Sequence, residues 1–432
     1  MKKINLGLIG FGHVGSGVVK ILRDKKSFLT KKLGVQIRVK KICDKDIASK
    51  RNVSVGKGIL TRNPQEILKD PQIDIVVELI GGIHPAKEYI LEALKKGKHV
   101  VTANKALLSE AGRELFAFAQ DMGKSIYFEA SVGAGIPIIK SLREGLVANK
   151  FNAIFGIVNG TSNFILSQMS KQQITFSCAL REAKARGFAE RNPILDIAGI
   201  DSAHKLILLT YLCFGRFVDL RDVFVEGITE ISLADVNYAK ELGLEIKLLA
   251  IAKKEDNELE VRVHPTLIPN NHLLASVGGV DNALYVSSDL AGNLLFYGPG
   301  AGQMPAASAV VADLVDLTQD IRAGLFRPTL NIVEDKSIKR LRKIDEIESR
   351  YYIRFMAKDL PGVLAKISGV LARFGISIAS VTQKERRFAR VVPIVMIIHE
   401  AKEKNLRLAL EVIDRLEVIK QKSVAIRMEE VY

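Results

Sequence analysis

Residues 3–9, KINLGLI, read as a buried strand and run straight into Gly10-Phe11-Gly12-His13-Val14-Gly15, after which SGVVKILRD has a helical pattern. Three glycines at this spacing constrain little when they stand alone. In the order strand, glycines, helix they constrain a great deal. Gly10 permits a tight turn, Gly12 leaves room for a pyrophosphate, and Gly15 lets the helix pack on the strand. The unbonded N–H groups of the helix start would then face the phosphates. Residues Gly10, Phe11, Gly12, His13, Val14 and Gly15 are therefore expected to cradle a dinucleotide.

The next stretches keep the strand–helix alternation. A second strand, 35–43, ends at Asp44, where an acid commonly accepts the ribose hydroxyls of NAD. Lys45, Lys50, Arg51 and Lys57 follow it. Any of them could meet the 2′-phosphate of NADP, although a solvated loop explains each one singly just as well. Arg51 and Lys57 are taken as the phosphate partners, and the cofactor is read as NADP, or NAD in dual use. DIVVELIGG (74–82), a helix over 85–96 and HVVTANK (99–105) continue the pattern. Strands apolar throughout imply a parallel sheet covered on both faces. Ligands of such sheets lie beyond the carboxyl ends of the strands, which places Ile80, Gly81, Thr102 and Lys105 on the nicotinamide side. A lysine opening a helix, as Lys105 does, sits where an anion is preferred, so a role outside the helix is expected for it.

At 432 residues and 48% hydrophobic content, the chain can hold two or three domains with sizeable cores. The formal charge of +15 is uneven: residues 1–60 carry 15 lysines and arginines against Asp24, Asp44 and Asp46. With aromatics at 6% and no tryptophan, a basic domain holding an anionic dinucleotide is more economical than a nucleic-acid surface. Cys43, Cys178 and Cys213 form no CxxC and no even framework, so reduced thiols and a cytoplasmic protein are expected. No signal peptide or bilayer-spanning stretch is read.

The chemistry is expected in AKARGFAERNPILDIAGIDSAHK, residues 183–205. Asp201 and Lys205 are four apart at the start of an apolar helix and so share one face. Glu190 and Asp196 lie on a Gly- and Pro-punctuated segment that can fold back over that helix start. A capping acid with a salt-bridged lysine is the bland account of any isolated DxxxK. Here the polar groups lead into nine nearly wholly apolar residues, and charges sunk in such a setting must pair or work.

Ala183, Gly187, Phe188, Ala189, Asn192, Pro193, Asp196, Gly199, Asp201 and Lys205 together resemble the signature of the homoserine dehydrogenase family, and the similarity extends over residues 4–320. Asn192 stands where most members carry an acid. The resemblance implies interconversion of L-aspartate 4-semialdehyde and L-homoserine by hydride transfer. Lys205 would be the proton donor or acceptor, Asp201 would orient it, and Lys105 of the TANK segment would reach the site. Glu190 and Asp196 would bind substrate, Glu190 at its ammonium. It also implies a monovalent cation, Na+ or K+, at Glu129 and the backbone oxygens of Val132, Ala134 and Ile136. From residues alone a tight crossover explains that glycine-rich loop equally well. NGTSN, 159–163, also matches the family, although its groups could be pure helix caps. The YGPGAG loop, 297–302, would return Gly302 to the cofactor. His204, His264 and His272 lack ligand spacing and are read as structural.

After residue 350 the pattern is βαββαβ, and Asp359-Leu360-Pro361-Gly362-Val363-Leu364 resembles the ACT family of amino-acid-sensing modules. A ferredoxin-like module serving dimerisation alone is the alternative. The expected α/β organisation has three parts. A Rossmann-type parallel sheet over 1–135, with 305–320 packing back on it, precedes an α+β catalytic and dimerisation domain, 136–304. A linker, 325–349, leads to an ACT domain, 350–432. By resemblance and pathway logic threonine is the expected effector, and the chain is expected to form a dimer or tetramer. No kinase-like segment precedes the first strand, so the fused aspartokinase form is not expected. Another Rossmann dehydrogenase, or a sensor without turnover, are the competing readings. A chain cut near Glu348 is expected to keep its nucleotide and substrate sites.

Overall fold

The computed structural model describes residues 3–326, 334–384 and 391–430. The middle of the expected linker, 327–333, and residues 385–390 of the expected ACT module lie outside the described residues. Two compact units are present: residues 1–151, 204–220 and 281–336 in one, and 152–203, 221–280 and 337–432 in the other.

The first unit is built on six parallel strands: β1 (Lys3–Ile9), β2 (Gln36–Cys43), β3 (Leu60–Thr61), β4 (Ile75–Glu78), β5 (His99–Thr102) and β6 (Ile126–Tyr127). Their order is β3-β2-β1-β4-β5-β6, so the direction of winding reverses between β1 and β4. A crevice opens at the carboxyl ends of strands at such a reversal. β4 is shorter than the apolar run 74–82 because Gly81 and Gly82 take φ of 70° and 71°, which ends the strand. The fingerprint helix, His13–Asp24, turns Val18, Val19 and Leu22 onto the sheet. A return helix, Gln303–Ala323, is longer than the expected 305–320. It buries Ala307, Val310, Leu314 and Leu317 in the same core. Each such side chain contributes about 1.5–3 kcal/mol when fully buried, Ala less, so the return helix is integral to this unit. The hairpin of strands Asp281–Ser288 and Gly292–Pro299 also belongs to it.

The second unit carries β7 (Phe151–Ile157), β8 (Leu244–Glu255), β9 (Glu258–Pro269), β10 (Glu348–Lys358), β11 (Ile378–Gln383), β12 (Val391–Lys402) and β13 (Ile419–Met428), in the order β7-β8-β9-β13-β10-β12-β11. With helices Val363–Arg373 and Glu403–Ile413, the last four strands form a βαββαβ module around Tyr351, Ile353, Phe355, Ile367 and Leu406. Pairing is antiparallel except between β9 and β13, which run parallel with Thr266 opposite Arg427 and Leu267 opposite Met428.

Buried ion pairs fasten the tail module to the strands and helix before it. Arg262 on β9 is 2% exposed and donates to Glu429 at 2.6 Å and Glu260 at 3.2 Å. Its Nη1 lies 2.6 Å from Nε2 of His264. Burial and the two neighbouring arginines hold the His264 imidazole well below its usual range, so it accepts as the neutral ring. Arg354 on β10 reaches Asp235 at 2.7 and 3.1 Å, and Arg427 on β13 reaches Glu403 and Glu226. The described end of the expected linker is structured too: Arg340–Leu341 pairs with Glu258–Leu259, and Arg342 meets Glu255, Glu258 and Glu260. A cut near Glu348 would therefore remove a module that is paired with the sheet before it. Such a cut strips β13 from β9 and takes Glu429 from Arg262 and Arg354 from Asp235.

Removing one partner of a buried pair costs about 3–5 kcal/mol because the other charge is left uncompensated. Glu429→Ala is expected to lose that much in urea unfolding. Glu430→Ala, whose carboxylate is largely exposed beside Arg350, is expected to lose at most about 1 kcal/mol. Equal losses for the two would remove the Arg262 network from the stability of this fold.

Candidate functional site

At the carboxyl end of β1, Gly10 has φ of 104° and its N–H donates to the Cys43 carbonyl at 2.8 Å. A Cβ on Gly15 would fall 2.1 Å from the Gly10 carbonyl oxygen, whereas one on Gly12 would meet nothing. Gly12 caps the fingerprint helix with no side-chain bond, which leaves the first N–H groups available to an anion. His13 is exposed, Val14 half-buried and Phe11 buried.

The Asp44 carboxylate is tied to the fingerprint turn. Its Oδ2 accepts the Phe11 N–H at 2.5 Å and its Oδ1 accepts the Asp46 N–H at 2.8 Å. Arg51 is held beside the same turn: its Nε donates to the Phe11 carbonyl at 2.8 Å, and its guanidinium lies 5.9 Å over the Phe11 ring. Lys57 is exposed.

On the other side of the crevice a residue that sequence reasoning missed organises the loops. Glu78 is wholly buried at the end of β4. Its Oε1 accepts from the N–H groups of Ile80 at 2.8 Å and Gly81 at 3.3 Å, and its Oε2 from the Thr102 hydroxyl at 2.7 Å. Asn104 completes the set, donating from Nδ2 to the Gly82 carbonyl at 2.6 Å and capping the helix that Lys105 opens. The Thr102 side chain is thus engaged in holding the loops. Desolvation holds the Glu78 carboxyl above its usual range. A glutamate inside the apolar run IVVE was the available signal.

The second unit gathers the acids. Asp201 lies in the first turn of the helix Ile200–Phe214 and is 6% exposed; Lys205, one turn on, is 7% exposed. Asn159 donates from its one amide nitrogen to Asp196 at 2.7 Å and Asp201 at 2.9 Å, and its Oδ1 accepts the Ser162 N–H at 2.8 Å. It is a helix cap and the bridge between two acids at once. Sequence reading matched NGTSN to the family, with pure capping as the alternative, but did not single out Asn159. The Ser162 hydroxyl donates to the Asp196 carbonyl at 2.8 Å, and Thr161 to the Phe188 carbonyl at 2.6 Å, which ties the turning segment to the start of the helix Gly160–Gln172. Glu190 stays apart: it is exposed on that segment, and no side-chain bond to it occurs among the described residues.

In the glycine-rich loop Glu129 is buried, and burial pushes its carboxyl up to about 7. Its oxygens accept the N–H groups of Ile139 and Lys140, both at 2.9 Å. Val132 is wholly buried, and Ala134 is turned to φ of 42° beside Gly133. The Ile136 carbonyl accepts the Ile138 N–H at 2.7 Å. One carboxylate among backbone oxygens, without sulfur or imidazole, suits a hard cation. No group of three or more His, Cys, Asp or Glu side chains that could hold a metal occurs among the described residues. Among them, no helix is long and apolar enough to cross a membrane.

The models of three families match in register with these sites. They are homoserine dehydrogenase over 137–315, its NAD-binding domain over 10–129, and the ACT domain over 351–418. Homoserine dehydrogenase of Neisseria gonorrhoeae is 41% identical over 435 residues, covering 100% of both chains. The chain belongs to the homoserine dehydrogenase family. The enzyme is 42% identical to the Pseudomonas aeruginosa homoserine dehydrogenase, again over 100% of both. The crystal structure of a homoserine dehydrogenase from Thiobacillus denitrificans matches with a TM-score of 0.91 and 44% identity, over 100% of this chain and 99% of that one. A hyperthermophilic archaeal homoserine dehydrogenase, solved in complex with NADPH, matches with 0.63 and 27% identity over 75% and 100%. The enzyme is thus an oxidoreductase acting on a CH–OH group, with a nicotinamide-cofactor domain and an ACT module consistent with regulation.

Asn159→Ala is expected to cost about 1 kcal/mol of stability as a lost helix cap. It should also lower kcat/KM for homoserine by ~10² or more, since the two acids then repel without their shared donor. A variant with normal kcat/KM would reduce Asn159 to a cap.

Proposed function

We propose that this enzyme reduces L-aspartate 4-semialdehyde to L-homoserine with NADPH, and runs the reverse oxidation, through Lys205. The observation that carries this is a buried lysine one turn beyond a buried aspartate, on the helix where Asn159 gathers the acids. The nicotinamide, when bound, supplies or takes the hydride at its C4. In reduction Lys205 donates its proton to the aldehyde oxygen as that oxygen gains charge; in oxidation it takes the hydroxyl proton. Asp201 orients Lys205 or the hydroxyl, and Lys105 adds positive charge near the same oxygen. Asp196, held by Asn159, and the exposed Glu190 meet the polar end of the substrate, Glu190 at its ammonium. Lys205→Ala is expected to lose at least ~10² in kcat, with a smaller change in KM. Near-normal kcat would take the proton transfer away from Lys205.

Arg51, held at the edge of the fingerprint turn, supports NADP over NAD. Phosphate contacts through the N–H groups of residues 10–15, with Ile80, Gly81, Thr102, Lys105 and Gly302 around the remainder, complete the proposed cradle. Arg51→Ala and Lys57→Ala should weaken NADPH more than NADH, because only NADPH carries the 2′-phosphate. Equal losses would reduce both residues to general positive charge.

Glu129 and the backbone oxygens of Val132, Ala134 and Ile136 are the donors we assign to Na+ or K+. The same assay in Na+, K+ and tetramethylammonium buffers tests it; rates independent of the cation would sink that assignment. Threonine is the proposed effector of the ACT module. Differential binding of an effector to two states typically carries ~1–3 kcal/mol. An unchanged rate under threonine, with other aspartate-derived amino acids equally inert, would leave the module structural. Light scattering decides whether the proposed dimer or tetramer forms.

A further inference from the structure

The hairpin strand Asp281–Ser288 carries a polar side chain that the roles above leave unused. Asn282 is 0% exposed, and among the described residues neither its Oδ1 nor its Nδ2 has a hydrogen-bond partner. Burying a carboxamide unpaired is unfavourable, so such a group calls for a reason. Asn282 pairs with Gly298 across the hairpin. A Cβ on Gly300 would lie 1.9 Å from the Asn282 Cγ, 2.1 Å from Nδ2 and 2.2 Å from Oδ1, so the carboxamide rests against the bare Gly300 Cα.

The segment it touches leads directly to the dinucleotide turn. The Pro299 carbonyl accepts the Gly135 N–H at 3.1 Å. Ala301 and Gly302 are exposed, and Gly302, at φ of 118°, starts the return helix without a side-chain cap. Gln303 then donates from Nε2 to the His13 carbonyl at 2.9 Å and to the Ser16 hydroxyl at 3.0 Å. Residues 300–302 are therefore a short bridge that Gly300 and Gly302 leave without side chains, with an unpaired amide at one end and the start of the fingerprint helix at the other.

We propose that Asn282 is a positioning residue for the nicotinamide dinucleotide. When the dinucleotide binds, the Gly300–Ala301–Gly302 backbone turns onto the Asn282 carboxamide. Nδ2 then donates to a main-chain carbonyl of that segment, and Oδ1 accepts a main-chain N–H. Gly300 is without a side chain because the amide needs its face. The inference rests on the reading of the Gly10–Gly15 turn as the dinucleotide site.

The test compares full-length wild type, Asn282→Leu and Gly300→Ala by NADPH fluorescence titration and by thermal unfolding with and without NADPH. Without NADPH, Asn282→Leu should unfold at or above the wild-type temperature, because an unpaired buried amide has been removed. Its Kd for NADPH should rise ~10-fold, about the worth of one or two hydrogen bonds, and NADPH should protect it less against heat. KM for homoserine at saturating NADP+ should change far less than KM for NADP+. Gly300→Ala, which displaces the amide, should weaken NADPH in the same direction. Unchanged NADPH affinity in both variants overturns the proposal, as does a lower unliganded unfolding temperature for Asn282→Leu with normal NADPH affinity. If Asn282→Leu fails to fold, Gly300→Ala alone decides by its Kd. Failure of the wild type to bind NADPH or NADH would instead overturn the dinucleotide reading itself.

Discussion

One carboxamide holding two carboxylates is the contact on which the acid site depends. Asn159 sits at the start of its helix, where its Oδ1 is fixed by the Ser162 N–H, so its Nδ2 has one orientation. Both of its N–H bonds then go to acids, Asp196 and Asp201, which come from different helices. The same amide thus sets the positions of two acids and the start of its own helix.

A comparable economy operates in the crevice at the end of β4. Glu78 spends its buried carboxyl group on the turn after its own strand and on Thr102 of the next one. The loops after β4 and β5 are thus fixed to each other, and Asn104 ties Gly82 to the start of the helix carrying Lys105. Loops held in this way can present backbone groups and one lysine at small entropic cost. The turned-in Asp44 and the anchored Arg51 do the same for the opposite end of the crevice.

The tail module is joined to the preceding strands by charges that cannot be left alone. Arg262, Arg354 and Arg427 are all nearly inaccessible, and each has an acid partner from a distant part of the chain. Such pairs contribute little over an apolar isostere, yet losing half of one is costly. Parallel pairing of β13 with β9 places the last residues of the described chain in that seam.

Much of this protein was legible in order along the chain. The strand–glycine–helix opening, the alternation of apolar strands and helices, and the shared helical face of Asp201 and Lys205 depend on neighbours a few residues apart, where backbone geometry dictates the outcome. So does the βαββαβ tail. Only the tertiary structure decided which polar groups meet. Asn159 and Asp201 are 42 residues apart, and Arg262 and Glu429 are 167 apart. Asp44 and Phe11, joined by a hydrogen bond, are 33 apart. The stretch before Glu348 looked like a tether until Arg342 found three acids. Local propensity fixes where a helix or strand runs. Strand register and packing decide which buried charge has a partner, and neither is written in the spacing of residues along one element.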